Sequence, residues 1–397
     1  MKIAFWGNFG SDNLGNECTL DAALAAARRH APSAETLVVC SRPADAVARH
    51  HVEAVPIAPS LSTARLPHRR PIRILRRLAA ELRDWPRVVE TMRTTDTLIM
   101  TGTGMLTDRH AGALGMPYQM LKWASAARLW RKEVLFVSVG AEEFVDTAKA
   151  RMMGGALRLA RYRSYRDPAS RERAKELVTA SAQDPLFPDL AFSLPRSLTT
   201  GHGDPPAGAA AVAVGVYGME PSAMNAYVEA LGIFVLRLLD RGHGVRLVIG
   251  DAEYDRLARG RLQAWLQERG ARDSVLAEPI ASFQELIGQL AETDFVVATR
   301  FHNLVLGLLL GKPVVSMSHM DKNDEMMAAM GLSAYCVPLN DLEPQRLLES
   351  FDRMERSAEE LRRGIQERVE IWRERLEEQY STVFRNVIDK GLRGDAA

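Results

Sequence analysis

The stretch "FVVATRFHNLVLGLLLGKPVV", residues 295–315, decides how the chain is read. Phe295–Ala298 is a short apolar run of strand length. An almost purely apolar helical segment, 304–310, follows, and a second β-branched run spans 314–317. Strand, helix and strand in that order form one unit of a parallel sheet. At the seam stand Arg300 and His302, with Phe301 between them and Asn303 after. A buried apolar helix does not need both a guanidinium and an imidazole at its start. A helix N-terminus turns partial positive charge toward a bound anion. Arg300 offers a planar fork for carboxylate or phosphate. His302 titrates near neutrality and can also donate a proton. The pair, two apart on an extended segment, is expected on one side, and Phe301 on the core side. A capping polar pair is the plainer alternative.

The same alternation runs outward in both directions. Strands are predicted at 3–6, 37–40, 98–100, 134–139 and 163–165, with helices at 17–30, 116–130, 147–159 and 169–177. After a Gly/Pro-rich stretch come strands at 212–216, 245–249, 275–277, 295–298 and 314–317. Helices are predicted there at 222–239, 254–268, 283–290, 304–310 and 323–330. The expected fold class is α/β: two Rossmann-like doubly wound parallel-sheet domains facing a cleft, ligands lying at the carboxyl ends of strands. The division reads as a first domain over 1–195, a linker over 196–211, a second domain over 212–345, and a long C-terminal helix over 346–397 packing across the domains. Leu361, Ile365, Val369, Trp372, Leu376, Tyr380, Phe384 and Ile388 give that helix its apolar stripe.

A chain of 397 residues suits two domains. A formal net charge of +1 gives no global case for nucleic acid, so an anionic partner must be met by local basic sites. The three cysteines, Cys18, Cys40 and Cys336, are far apart and show neither disulfide nor zinc spacing. No apolar run is long enough to span a bilayer. These features fit a cytoplasmic protein, with membrane contact only peripheral at the inner face. The most basic segment, 65–87, opens a helical stretch over 65–93 and holds eight arginines against Glu81 and Asp84. As an amphipathic helix it can lie on an anionic membrane surface; a solvated surface helix is the alternative.

Two glycine-bearing turns follow first-domain strands. "GNFGSDNLGNE", 7–17, brings Asn8, Gly10, Asn13 and Gly15 before a helix, with Asp12 and Glu17 as nearby acids. "TGTGMLTD", 101–108, brings Gly102, Thr103 and Gly104, ending in Asp108. Glycines let backbone amides approach a ligand, but neither turn has the spacing of a dinucleotide fingerprint. Tight βα turns are the alternative. Arg166 stands at the carboxyl end of the 163–165 strand, where Asp167 is read as the cap of the next helix and Pro168 as its first turn. Beyond the 314–317 strand come His319 and Lys322, the latter a second candidate cation.

Taken with "VSVGAEE" (137–143), "YRSYRDPAS" (162–170), "PDLAFSL" (188–194) and "DKNDEMMAAMGL" (321–332), these motifs in this order resemble the polysaccharide pyruvyl transferase family over residues 1 to about 340. The resemblance implies a GT-B fold, with the acceptor on the first domain and the donor on the second. It implies a transferase that moves the pyruvyl group of phosphoenolpyruvate onto two hydroxyls of a saccharide as a cyclic ketal, releasing phosphate, in exopolysaccharide or cell-envelope biosynthesis. The family's Arg-x-His signature falls on Arg300 and His302, and its first-domain donor arginine on Arg166. Where the family often has Asn-Leu-Gly-Asp-Glu, this chain has Asn16 in place of the acid.

On that resemblance His302 is the catalytic acid, and Asp12 or Asp108 the base. Arg166, Arg300, Asn303 and Lys322 bind the donor; Asn8, Gly10, Asn13, Gly102, Thr103 and Gly104 line the acceptor. No cofactor and no metal are expected; phosphoenolpyruvate is a co-substrate, and the acceptor is a saccharide, lipid-linked or nucleotide-linked. Two other readings compete. One is a GT-B glycosyltransferase with a nucleotide-sugar donor; the other is a non-catalytic glycan-binding protein.

Overall fold

The computed structural model describes residues 1–60, 70–102, 104–109, 112–200 and 210–388. Thr103, residues 201–209 of the expected linker and 65–69 of the basic segment lie outside the described residues. The chain divides into two compact units. The first holds residues 1–11, 19–190 and 375–397; the second holds 12–18 and 191–374.

In the first unit, strands β1 (Lys2–Trp6), β2 (Glu35–Cys40), β3 (Glu53–Pro56), β4 (Thr97–Thr101), β5 (Glu133–Val139) and β6 (Tyr162–Tyr165) form one parallel sheet. Their order is β3-β2-β1-β4-β5-β6, so the connection reverses direction between β1 and β4. The central strand β4 is buried throughout, and β5 from Val134 onward, as expected where helices cover both faces. The helices are α1 (Leu14–His30), α2 (Pro43–His50), α3 (Arg70–Arg93), α4 (Met116–Leu129), α5 (Thr147–Leu159) and α6 (Pro168–Leu177). The core gathers Trp6, Met100, Trp123, Phe136 and Tyr165. The indole N–H of Trp123, fully buried, donates to the Ile57 carbonyl at 2.8 Å, which satisfies the one polar atom of a large apolar group.

A charged cluster joins α3 to α4. Lys122, 1% exposed, donates to Glu81 at 2.8 Å and to Asp84 at 2.6 Å. Gln119 donates to the other Glu81 oxygen at 2.7 Å, and Arg87 chelates Asp84. Two cations thus meet two carboxylates, the balance a buried cluster requires.

In the second unit a short helix, α7 (Arg196–Thr199), precedes β7 (Ala211–Gly215). With β8 (Gly244–Val248), β9 (Val275–Leu276), β10 (Phe295–Ala298), β11 (Val314–Ser318) and β12 (Cys336–Pro338) it forms a second parallel sheet, in the order β12-β11-β10-β7-β8-β9. Here the direction reverses between β7 and β10. The helices are α8 (Met224–Asp240), α9 (Asp255–Gln267), α10 (Phe283–Ala291), α11 (Phe301–Leu309), α12 (Asp321–Ala329), α13 (Pro344–Arg356) and α14 (Ala358–Tyr380). Val214, Phe234, Val297, Met317 and Phe351 lie in its core. Among the described residues, no helix is long and apolar enough to cross a membrane.

The structure departs from the sequence reading at three places. First, residues 12–18 belong with the second unit: Leu14 N donates to the Gly250 carbonyl at 3.1 Å, and Ala252 N to the Asp12 carbonyl at 3.0 Å. Backbone bonds of this kind are indifferent to side chains, so composition does not reveal them. Second, the C-terminal region is two helices, broken at Ser357, and the second continues as a π-helix over Ser381–Ile388. Its stripe is buried at Ile365, Val369, Leu376, Tyr380 and Phe384; residues to Glu374 group with the second unit and those from Arg375 with the first. Third, β3 and β12 are edge strands of four and three residues, partly exposed, too short to give a periodic signal.

Candidate active site

Four neighbouring strands of the second sheet, β11, β10, β7 and β8, deliver polar residues at their carboxyl ends. These are His319 and Lys322, Arg300 and His302, Tyr217, and Asp251 with Asp255. This is the place in a doubly wound sheet where ligands bind, beside the reversal between β7 and β10.

Arg300 is the N-cap of α11, and His302 lies in the helix's first turn, not on an extended segment. The chain turns helical at Phe301, which is buried, as the apolar content there demands. The guanidinium is held on both sides. Nε lies 3.1 and 3.0 Å from the two Asp255 oxygens, and Nη2 lies 2.6 Å from Oδ1. Its carbon stands 4.6 Å from the centroid of the Tyr217 ring, a cation–π contact across the strand reversal. Burial works against the charge, but the hydrogen bonds and charge of Asp255, with Asp251 behind it, outweigh this and raise the Arg300 pKa. Nη1 takes no part in the Asp255 pair, and the side chain is 22% exposed.

Asp255 is fully buried, and it is saturated. Beyond Arg300 it accepts the amides of Gly218, Gly250 and Asp251 at 2.9–3.1 Å. Gly250 is required by its neighbours: a Cβ there would come within 2.5 Å of Asn303 Oδ1 and 3.0 Å of Arg300 Cβ. Asn303 is wholly buried beneath this turn, and its amide has no hydrogen-bond partner among the described residues. Asp251 accepts the amides of Glu253 and Tyr254; burial raises its pKa, opposed by those amides and by Arg300.

His302 stands against the first turn of α1. A Cβ on Gly15 would meet its Nδ1 at 2.0 Å. Asn13 caps that helix, its Oδ1 accepting Gly15 N at 3.1 Å and Asn16 N at 3.3 Å. Gly15 therefore makes room for an imidazole. On the far side His319 Nε2 lies 3.2 Å from the Tyr217 hydroxyl. Burial first, then Lys322 and Arg300, lower the His319 pKa, and the ring nitrogen shares a hydrogen bond with the tyrosine hydroxyl. Asn323, buried on α12, donates to the Thr299 carbonyl at 2.7 Å and ties α12 to the turn before Arg300.

Of the residues singled out from sequence, the second unit thus holds Asp12, Asn13, Arg300, His302, Asn303 and Lys322. Asp255, Asp251 and Tyr217 were missed. Their signal was positional: "VYG" follows β7, which flanks the reversal, and "GDAEYD" follows its neighbour β8.

The first unit holds the rest. Arg166 ends β6 with a side chain only 4% exposed, pairing with Asp167 at 3.0 Å and Asp189 at 3.4 Å. Burial opposes its charge, and the two carboxylates restore it. Asp167 also caps α6, accepting Ser170 N at 2.6 Å, as its sequence context predicts. Gly140 leaves Arg166 its space, since a Cβ would lie 2.7 Å from Cζ. Asp108 is buried and accepts the amides of Val145 and Asp146. It lines an open groove of about 730 Å³ with Arg109, Asp146, Thr147 and Lys149. Gly104 faces Glu142, and Gly102 has a φ of 131° that favours glycine. Asn8 is exposed and accepts the Ser41 hydroxyl at 2.6 Å. Gly10, at φ 70°, would drive a Cβ to 2.2 Å from the Arg42 carbonyl, and the Phe9 ring folds over Gly7. Packing within the loop thus accounts for both glycines.

A family model described as polysaccharide pyruvyl transferase matches residues 8–321. No curated protein matches the sequence. Among solved structures, a putative UDP-N-acetylglucosamine 2-epimerase from Listeria monocytogenes is 12% identical, with 97% of each chain covered and a TM-score of 0.62. A glycosyltransferase from Rickettsia africae ESF-5 is 11% identical, covering 97% of this chain and 99% of that one, TM-score 0.60. The S. aureus MnaA–UDP co-structure is 12% identical, covering 92% and 90%, TM-score 0.58. At these identities the likeness concerns the fold, which is GT-B-like.

Proposed function

Because the chain belongs to the polysaccharide pyruvyl transferase family, and is by that membership a transferase, we propose that it moves the pyruvyl group of phosphoenolpyruvate onto two hydroxyls of a saccharide. The observation that carries this reading is the pairing of a fixed guanidinium with an imidazole at one helix start: Arg300 locked by Asp255, His302 seated on Gly15. Phosphoenolpyruvate needs cations for its phosphate and carboxylate and a proton for its methylene carbon. Arg300 Nη1, the N-terminus of α11 and Lys322 supply the first; a protonated His302 supplies the second.

The steps balance. His302 gives its proton to the methylene carbon, leaving a methyl group and an oxocarbenium-like C2. One sugar hydroxyl adds at C2 and loses its proton. The C–O bond to phosphate then breaks, Arg300 stabilising the departing charge. The second hydroxyl adds and closes the ketal. Of the two hydroxyl protons, one restores His302 and one ends on phosphate. Asp12 is the preferred base, since it shares the second unit with His302, whereas the Asp108 carboxylate is engaged by two backbone amides. Arg166 of the first unit is neutralised by Asp167 and Asp189, so it takes an anion only where one of those pairs opens. Of the acceptor-side candidates, Asn13 of the second unit is the nearest in sequence to Gly15, on which His302 is seated.

Isothermal titration with phosphoenolpyruvate and with a panel of nucleotide sugars tests the reading. Binding of phosphoenolpyruvate, weakened in Arg300→Ala, is expected. Binding of a nucleotide sugar alone would instead assign the chain as a glycosyltransferase.

A further inference from the structure

Helix α3 carries chemistry that the proposed reaction does not use. Its C-terminal half is pinned to α4 by the Lys122 cluster and by the Trp85 indole donating to Tyr118 at 3.2 Å. Its N-terminal half is different. Ile72, Ile74, Leu75, Leu78 and Leu82 are all exposed, Leu75 to 66% and Leu82 to 72%. At 100° per residue, Ile72, Leu75, Leu78 and Leu82 fall on one face. Arg76 and Arg83, each one position further on, line an edge of that face; Arg77 is also exposed, about 100° further round the helix. The sole acid between 70 and 83 is Glu81, which is buried and spent on Lys122 and Gln119. The exposed charge of this half-helix is therefore wholly positive.

Soluble proteins rarely leave such aliphatic stripes to water. A purely electrostatic partner such as nucleic acid would gain nothing from five aliphatic side chains. A stripe of branched hydrocarbon edged by guanidinium groups matches an anionic lipid surface: the leucines enter the acyl boundary while the arginines meet headgroup phosphates. We propose that α3 docks the protein on anionic membranes, lying flat over residues 72–83, a segment about 18 Å long. Nothing in this proposal depends on the reaction assigned above.

The test is sedimentation of the full-length protein with vesicles of phosphatidylcholine alone and of equimolar phosphatidylcholine and phosphatidylglycerol. Two variants accompany it: Arg76→Glu/Arg77→Glu/Arg83→Glu, and Leu75→Gln/Leu82→Gln. The substituted side chains are exposed, so thermal melting should match wild type and certify folding. The expected result is pelleting with the anionic vesicles only, weakened by salt. The charge variant should lose roughly a hundredfold or more in partitioning, at about one kcal/mol per arginine, and the leucine variant should also detach. Absence of pelleting by folded wild-type protein overturns the proposal, as does undiminished pelleting of either variant. Binding to soluble polyglutamate without binding to vesicles would assign the face to an acidic protein and likewise overturn it.

Discussion

A Cβ placed on Gly15 would lie 2.0 Å from Nδ1 of His302, so the imidazole rests on the bare Cα of the first turn of α1. The glycine of the N-terminal loop is thus part of the second unit's site. Gly15→Ala should keep the fold, since the ring can swing away, but it should misplace the proposed acid. A displacement of this size costs on the order of 10²-fold in turnover. Phosphate release from phosphoenolpyruvate, measured beside circular dichroism, checks this. A variant as active as wild type would show that the position of His302 is not critical.

Arg300 depends on Asp255. Asp255→Asn removes the buried charge that accepts from the guanidinium and from three backbone amides. Breaking one partner of a buried pair costs about 3–5 kcal/mol. The melting temperature should fall, and the affinity for phosphoenolpyruvate should fall on the order of tenfold. Calorimetry reads both; affinity unchanged at lower stability would mean that Arg300 serves structure alone.

His319 gives the site a pH signature. Its folded-state pKa is depressed below the ordinary 6.5. The unfolded chain therefore binds the proton first as pH falls. The stability that neutral His319 contributes is present above 6.5 and is lost as pH falls through its folded value. His319→Gln should flatten that part of the melting-temperature profile. An identical slope in the variant would remove His319 as its source.

The Lys122 cluster is a matter of stability, not chemistry. Lys122→Met leaves Glu81 in the interior without a cation, while Arg87 still holds Asp84, and should cost about 3–5 kcal/mol in denaturant unfolding. Activity per folded molecule should stay unchanged. Loss of activity without loss of stability would contradict this division of roles.

Much of the architecture was legible because it rests on local periodicity. Runs such as Phe295–Ala298 and Val314–Ser318 announce buried strands, and their alternation with helices dictates parallel sheets. Arg300 and His302 were visible as polar residues where packing needs none. Their partners were not. Asp255 lies 45 residues from Arg300 and reads locally as an ordinary acid in the first turn of a helix. Gly15 reads as a loop glycine until His302, far along the chain, is seen to occupy its empty side. Gly7 and Gly10 point the other way: they look like ligand-binding glycines, yet they accommodate Phe9 and the Arg42 carbonyl. Long-range side-chain pairing and backbone stitching leave no periodic trace in sequence.

The central claim, that His302 protonates phosphoenolpyruvate for ketal transfer, is tested most directly by mass spectrometry. Lipid-linked and nucleotide-linked glycans are incubated with phosphoenolpyruvate and either wild-type protein or His302→Ala, while inorganic phosphate is followed in parallel. The account predicts that a glycan gains one pyruvyl ketal for each phosphate released, and that His302→Ala slows both on the order of 10²- to 10⁴-fold. Ketal formation and phosphate release at the wild-type rate in a folded His302→Ala protein would contradict it.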